Sequence, residues 1–550
     1  MKKFYTLFFV ITLSIFSMSI FAQKEIIKVT PDYKIGQTGE GTVGNLNDTI
    51  AYVAANQGCG NVIFELERDA FYYSIDEIRP DQQNLHVRAE EGDGRRPIVM
   101  AAANPQSGNF EQIFYEFTGN MTLEGLHILG TTTEGSQLDQ ALRTDAENLR
   151  VIVDNCIIEK YRDRVLRMNN EGTKAYFINS IIRNMGEPTG GGVGIRVNTY
   201  CDSLVVQNCT FYNLQNYIFQ NTRNGLNYFE VTNSTFMNYA LSTNVGLDIG
   251  RAKEVLIADN IFYNGAFRQN TTYHDPFFRA NVMDKEGIPF TDAERDIKIL
   301  NNNWYVDDDV AQIYDDNYDA ARDTLTRDVD VVVGQDTITA EGVPYRYVVG
   351  DIWIMDENLA ASDTLWDGMP FLAMLQDSGV VTFENNFREE LSFTNPPAYP
   401  ELWVSALIKS NWDSDIFDNM EITSDTMYWV TEAADAPFDF GYSDDATSAT
   451  AGRAGGQIGA PWELTEASSI RYGNAVENSL SVYPNPATST LHIENDFKAV
   501  QMFDMTGKMV YQTRDNTSKV VNIDHLSAGL YIIAIKDMNN QKLVDKFVKK

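Results

Sequence analysis

Leu149-Arg150-Val151-Ile152-Val153-Asp154-Asn155-Cys156-Ile157-Ile158 opens a pattern that recurs as far as Asn264. Ala175 to Ile182, Leu204 to Phe211, Phe229 to Phe236 and Val255 to Phe262 repeat it. Each copy is a short apolar run, an Asn or Asp, and then an aromatic or Ile. The residues Asn155, Asn179, Asn208, Asn233 and Asp259 fall 24 to 29 positions apart. A period of that size marks stacked units, and the alternation within each unit is that of a strand. One such unit cannot bury its own apolar face, so the units stack. Strands that return to the same place in every coil pair in parallel. An Asn at one fixed point marks a tight corner with a left-handed backbone, and stacked Asn side chains can bond to one another from coil to coil. The expected fold is all-β: a right-handed parallel β-helix.

The ends of the stack need covering, because bare strand edges invite aggregation. Asn47-Asp48-Thr49 can cap a short helix through Ile50, Val53 and Ala54 that plugs the start. Val62 to Leu66, Leu85 to Arg88, Pro97 to Met100 and Met121 to Ile128 read as early rungs. Ile297 to Tyr305 and Val381 to Phe387 read as late ones, with an acidic insertion between them that includes Asp307-Asp308-Asp309 and Asp315-Asp316. Glu401 to Lys409 reads as a helix with Leu402, Ala406 and Leu407 as its apolar stripe. Phe438 to Trp462 reads as an extended strip that closes the β-helix.

Between the Asn-containing runs lies a second strand in each coil, and any chemistry belongs there. Ala141-Leu142-Arg143-Thr144, Val165-Leu166-Arg167-Met168, Gly194-Ile195-Arg196-Val197, Tyr217-Ile218-Phe219-Gln220, Gly246-Leu247-Asp248-Ile249 and Phe277-Phe278-Arg279-Ala280 align. If the aliphatic or Phe before it points inward, the next residue points outward. The outward column then reads Arg143, Arg167, Arg196, Phe219, Asp248, Arg279. Arg grips carboxylate or sulfate bidentately and stays charged, and an aromatic stacks on a sugar face. The column suits an acidic polysaccharide such as a uronic-acid chain. Alternatively, the same arginines pair with acids in flanking loops, among them Asp145, Glu147 and Asp163.

The repeat from about Asn45 to Asn303 resembles the pectate-lyase-like superfamily of β-helices. Lyases of that superfamily imply a strand-face groove, an Arg or Lys base, and in many cases Ca²⁺ to neutralise the substrate carboxylate. On that resemblance Arg167 and Arg196 are the candidates for base and carboxylate clamp, with Arg143, Phe219, Asp248 and Arg279 as substrate-binding residues. Ca²⁺ wants several oxygen ligands, and Asp248 alone on the column supplies few. Hydrolysis needs two placed carboxylates, and the column holds one. His86, His127 and His274 are far apart in sequence and form no metal-ligand motif. The reading from residues leaves two functions open, a β-eliminating lyase and a non-catalytic glycan-binding or structural β-helix.

The chain holds 43 basic and 77 acidic residues, a formal net charge of −34. That balance excludes nucleic acid as the expected partner and fits an extracellular surface. Four cysteines in 550 residues make no disulfide scaffold; Cys156 and Cys209, just after corner residues, read as small core residues. Met1 to Ala22 reads as a secretory signal peptide, with Lys2 and Lys3 before an apolar stretch. No later stretch is long and apolar enough to span a bilayer.

After a linker at 466–477 the composition changes. Tyr483-Pro484-Asn485-Pro486-Ala487, Asp504-Met505-Thr506-Gly507-Lys508 and Leu526-Ser527-Ala528-Gly529-Leu530-Tyr531 punctuate a small β-sandwich at 478–550. These motifs closely resemble the C-terminal sorting domain of the type IX secretion system of Bacteroidota. The resemblance implies export, outer-membrane passage, and removal of this domain with release or surface attachment. The expected organisation is a signal peptide at 1–22, a regular β-helix at 23–280, irregular final coils with the acidic insertion at 281–465, the linker, and the sorting domain.

Overall fold

A computed structural model describes residues 24–37, 41–187, 191–222, 224–241, 246–265, 278–279, 288–310, 312–313, 326–333, 336–344, 378–409, 438–461, 482–483, 487–493, 497–504, 509–514, 519–527, 529–537 and 542–550. The expected signal peptide, the linker, Asp315-Asp316 and Trp462 lie outside the described residues.

The body is a right-handed parallel β-helix with three sheets, which hold eleven, ten and seven strands among the described residues. Crossovers between parallel strands are right-handed for steric reasons. Each apolar run is two strands, because the corner residue breaks it. Arg150–Asp154 joins the first sheet and Ile157–Glu159 the second. Arg164–Met168 then lies in the third sheet, and the chain returns to the first at Lys174–Ile178.

The corners confirm the backbone argument. Asn155, Asn179, Asn208, Asn233 and Asp259 have φ of 53°, 50°, 55°, 49° and 60°, and Asn301 and Asn385 extend the series at 55° each. Asn208 Nδ2 donates to Asn179 Oδ1 at 3.2 Å, while Asn179 Nδ2 donates to Asp154 Oδ1 at 3.1 Å. A second series of left-handed corners ends the second-sheet strands, where Asn238 donates to Asn213 and Asn213 to Asn184 at 3.1 and 2.9 Å.

The residue after each first corner points inward and satisfies the coil before it. Cys156 N–H donates to Ser180 Oγ, Ser180 N–H to Cys209 Sγ, and Cys209 N–H to Ser234 Oγ. Ser234, Asn260 and Asn302 continue the series through Asn260, Asn302 and Asn386 side-chain oxygens. Cys156 and Cys209 are therefore small core residues, and Cys209 Sγ also accepts a hydrogen bond. Cys59 and Cys201 are buried too, and all four are free thiols. Farther along the interior, Phe236 stacks on Phe262 at 4.9 Å and Phe262 on Trp304 at 4.2 Å between centroids.

The plugging helix is Asn45–Asn56, three positions earlier at its start than a cap at Asn47-Asp48-Thr49 requires. Gly44 stands at the N-cap with φ 87°, and Asn47 instead accepts from Ile75 N–H and Ser74 Oγ and donates to the Asp76 carbonyl. Leu46, Ile50 and Val53 are buried against the first coils. In the helix Glu401–Lys409, Leu402 is 78 % exposed while Trp403 and Val404 are buried, so Leu402 does not belong to the apolar stripe; the side chains of Ala406 and Leu407 lie outside the described residues. The closing strip lies over the outer face of the second sheet. Phe438 and Phe440 pack on Tyr212, and Arg453 forms an ion pair with the corner Asp259 at 2.8 Å. At the C-terminus a three-stranded and a four-stranded antiparallel sheet share a core of Leu491, Val500, Met502, Ile533 and Phe547.

An L-residue forced into the left-handed region costs about 1–2 kcal/mol, and Gly pays no such steric cost. Asn208→Ala is expected to lower the thermal unfolding midpoint more than Asn208→Gly does. Equal losses in a thermal melt would contradict a left-handed requirement at this corner.

Candidate functional site

Cα pairing in the third sheet sets the arginines one above another. Arg143 pairs with Arg167, Arg167 with Arg196, and Arg196 with Gln220. Strand spacing places successive coils about 4.8 Å apart. Leu142, Leu166 and Ile195 immediately before them are buried, while the three arginines and Gln220 are partly exposed. The arginines thus occupy one outer wall, as the alternation requires.

One member of the expected column is misplaced, and another is in register but buried. Phe219 pairs with Ile195 and Leu247, is 1 % exposed, and stacks on Phe229 at 4.4 Å. It is an inward residue, and Gln220 takes the outward position. The shift of one follows from Tyr217-Ile218-Phe219, where three apolar residues compete for one interior place. Asp248 does pair with Arg279, but it is only 2 % exposed. The backbone of Arg279 extends the sheet in the strand Phe278–Arg279.

The three arginines differ in their surroundings. Arg143 Nη1 donates to Tyr115 OH at 2.6 Å and forms an ion pair with Glu116 at 3.0 Å. Its guanidinium lies 5.2 Å from the centre of the Tyr115 ring. Glu116 also binds Arg79 at 3.1 Å, so its charge is shared. The buried Arg164 pairs with Asp163 at 2.6 Å. Arg167 forms no ion pair among the described residues, and its Nε is buried without a hydrogen-bond partner. Burial, followed by Arg164 and Arg143, pushes its guanidinium below the usual arginine range. Like charges at this separation repel by roughly 1 kcal/mol in water and by more near a protein surface. A stack of such residues is therefore poised for an anion.

Sequence alternation missed Tyr115 and Glu116. Their strand, Phe114–Phe117, carries a register shift, and Glu116 has φ of 52°. A bulge breaks the period-two rule there, although the run Phe-Tyr-Glu-Phe is itself strand-like. Among the described residues no three His, Cys, Asp or Glu side chains converge as a metal site.

A second charged cluster sits on the second sheet but is sealed. His127 Nε2 lies 2.7 Å from Glu159 Oε1, Arg183 Nε donates to Glu159 Oε2 at 2.8 Å, and Arg183 Nη1 donates to Tyr212 OH at 3.0 Å. Glu159 has no exposure, so no substrate reaches it. Although burial opposes its charge, Arg183 and His127 hold the carboxyl well below the usual range.

Residues 481–550 match the family model described as a secretion system C-terminal sorting domain. The chain carries a type IX sorting domain. That domain marks the protein for export, to cell-surface attachment or secretion. Among curated proteins the chain is similar to the ulvan lyase NLR42 of Nonlabens ulvanivorans, with 29 % identity over 92 residues. The match takes in 16 % of this chain and 17 % of that protein, so the chain spans about a sixth of that relative. No helix among the described residues is long and apolar enough to cross a membrane.

Glu159→Gln leaves Arg183 without its buried counter-charge, which costs about 3–5 kcal/mol. A carboxyl whose pKa is depressed in the folded state stabilises above its unfolded value, about 4.3, and loses that contribution as pH falls toward the folded value. The stability gap between wild type and Glu159→Gln is therefore expected to be full at neutral pH and to narrow below about pH 4. Denaturant melts across pH check this; a gap independent of pH contradicts a charged Glu159.

Proposed function

We propose that the exported protein acts on an acidic, uronic-acid-bearing polysaccharide along the third sheet, and that its chemistry is β-elimination. The observation that carries this reading is Arg167, in register between Arg143 and Arg196, with no ion pair among the described residues and its Nε without a hydrogen-bond partner.

A polymer that touches all three arginines runs along the axis of the coils. Arg196 clamps the carboxylate of the reacting sugar bidentately, and Arg143 holds a neighbouring acid group. Arg167, with its affinity for protons lowered by burial and by neighbouring cations, serves as the base. It takes the proton α to the carboxylate, and charge develops on the carboxylate oxygens, where Arg196 stabilises it. A double bond then forms between the α and β carbons as the bond from the β carbon to the glycosidic oxygen breaks. That oxygen takes up the proton which Arg167 has just gained. Arg279 continues the register of the column and is a further candidate for substrate binding; Phe219 and Asp248 have no part in it. In this reading 1–22 is the export signal, 23–280 and 281–465 form the acting body, 466–477 is a linker, and 478–550 engages the secretion machinery. The partial likeness to an ulvan lyase supports a polysaccharide as the substrate.

The test is the ultraviolet absorbance of an unsaturated uronate product. Polygalacturonate, polyglucuronate and alginate are incubated with the mature chain, with and without a chelator. Wild type is expected to raise the absorbance with at least one polymer. Arg167→Ala is expected to lower kcat/KM by about 10²–10⁴-fold, and Arg196→Ala to lower kcat and raise KM. No product, combined with retention in a polymer gel that Arg167→Ala weakens, reduces the function to binding. No product and no arginine-dependent retention overturns the proposal.

A further inference from the structure

A second polar row runs beside the arginines. Two positions past Arg167 and Arg196 stand Asn169 and Asn198, and two past Gln220 stands Thr222. These residues stand just past the ends of the strands Arg164–Met168, Val193–Val197 and Phe219–Asn221, and each is partly exposed next to a buried residue, Met168, Val197 or Asn221. Thr222 Oγ1 donates to Asn198 Oδ1 at 2.9 Å, and Asn198 Nδ2 donates to Asn169 Oδ1 at 2.9 Å.

The direction of these bonds determines what is left over. An amide carries two N–H donors and an acceptor oxygen, and a hydroxyl carries one donor and two lone pairs. Each amide oxygen already accepts one bond from its neighbour. Asn169 keeps both N–H groups of its amide, Asn198 keeps one, and Thr222 keeps lone-pair capacity. The row is therefore short, ordered and donor-rich at one end. One coil before Asn169 the exposed Asp145 continues it, adding a negative charge that repels anions and accepts from hydroxyls.

We infer that Asn169, Asn198 and Thr222 determine specificity by reading the free hydroxyl edge of a sugar whose acid edge lies on the arginine row. This rests on the proposed polysaccharide function and adds the class of substrate: uronate residues unsubstituted at the hydroxyls opposite the acid. Two residues of chain span at most about 7 Å, so the two rows lie within the reach of one sugar ring. A ring laid across them meets cations on one side and neutral amide and hydroxyl groups on the other. An ester at that edge removes a donor and adds bulk where coil-to-coil hydrogen bonds leave little slack, and a sulfate there meets Asp145.

The experiment compares binding of the full mature chain to polyglucuronate and polygalacturonate, each native and O-acetylated at matched length. Wild type is expected to bind the better native polymer roughly tenfold more tightly than its acetylated form, the effect of losing one or two hydrogen bonds. The double variant Asn169→Ala/Asn198→Ala is expected to bring the two affinities within about twofold. The salt dependence that reports the arginines is expected to stay unchanged. A ladder that merely braces the corner would lower stability and leave the ratio alone. If the double variant does not fold, Thr222→Val removes one hydroxyl at nearly constant shape and is expected to shrink the ratio in part. A ratio unchanged in folded variants that still depend on Arg167 overturns this inference alone. Absence of Arg167-dependent binding to any of the four polymers overturns it together with the function on which it rests.

Discussion

Every feature of this protein depends on the fixed register between coils. A parallel ladder sets equivalent positions one strand spacing apart, and a slip of one residue would turn each core side chain outward. Register is held at the corner, where a left-handed Asn or Asp recurs from Asn155 to Asn385. It is held again just inside, where each small polar side chain accepts the backbone N–H of the coil before. Those bonds satisfy donors that would otherwise be buried and unpaired, at a cost of about 1–3 kcal/mol each. The Phe236–Phe262–Trp304 stack then fills the interior with the same repeat.

What is ordered inside is equally ordered outside. The ladder that stacks Leu142, Leu166 and Ile195 in the core also stacks Arg143, Arg167 and Arg196 on the wall. In a chain of net charge −34, neutralising acids could stand beside all of them. Glu116 forms an ion pair with Arg143, whereas Arg167 forms no ion pair among the described residues and feels Asp163 only at longer range. The wall therefore retains repulsion that an anionic ligand relieves. The sealed Glu159–Arg183 pair on the second sheet is the opposite case: its charges satisfy one another under cover and stabilise the body.

Much of the scaffold was legible because it is periodic. The corner residues, the second strand of each coil and the arginine register follow from spacing and alternation alone. The errors fall where a local rule yields to packing. Phe219 lies inward because an aromatic ring in the run Tyr217-Ile218-Phe219 gains more from stacking on Phe229 than from water. Glu116 escaped notice because a bulge interrupts the alternation at its strand. The plugging helix begins at Asn45 because Gly44 turns the chain there, which frees Asn47 to bond to the first coil. Leu402 was assigned to the wrong side of its helix, where Trp403 and Val404 carry the burial. The sorting domain was recognisable from short turn motifs, and residues 481–550 match its family model.

The most direct measurement is a crystal structure of the mature β-helix with an acidic oligosaccharide long enough to cross three coils. The account predicts the sugar chain along the third sheet, with carboxylate oxygens within hydrogen-bond reach of Arg167 and at least one of Arg143 and Arg196. An oligosaccharide bound on another wall, or an Arg167 that turns to an acid of its own chain, would contradict it.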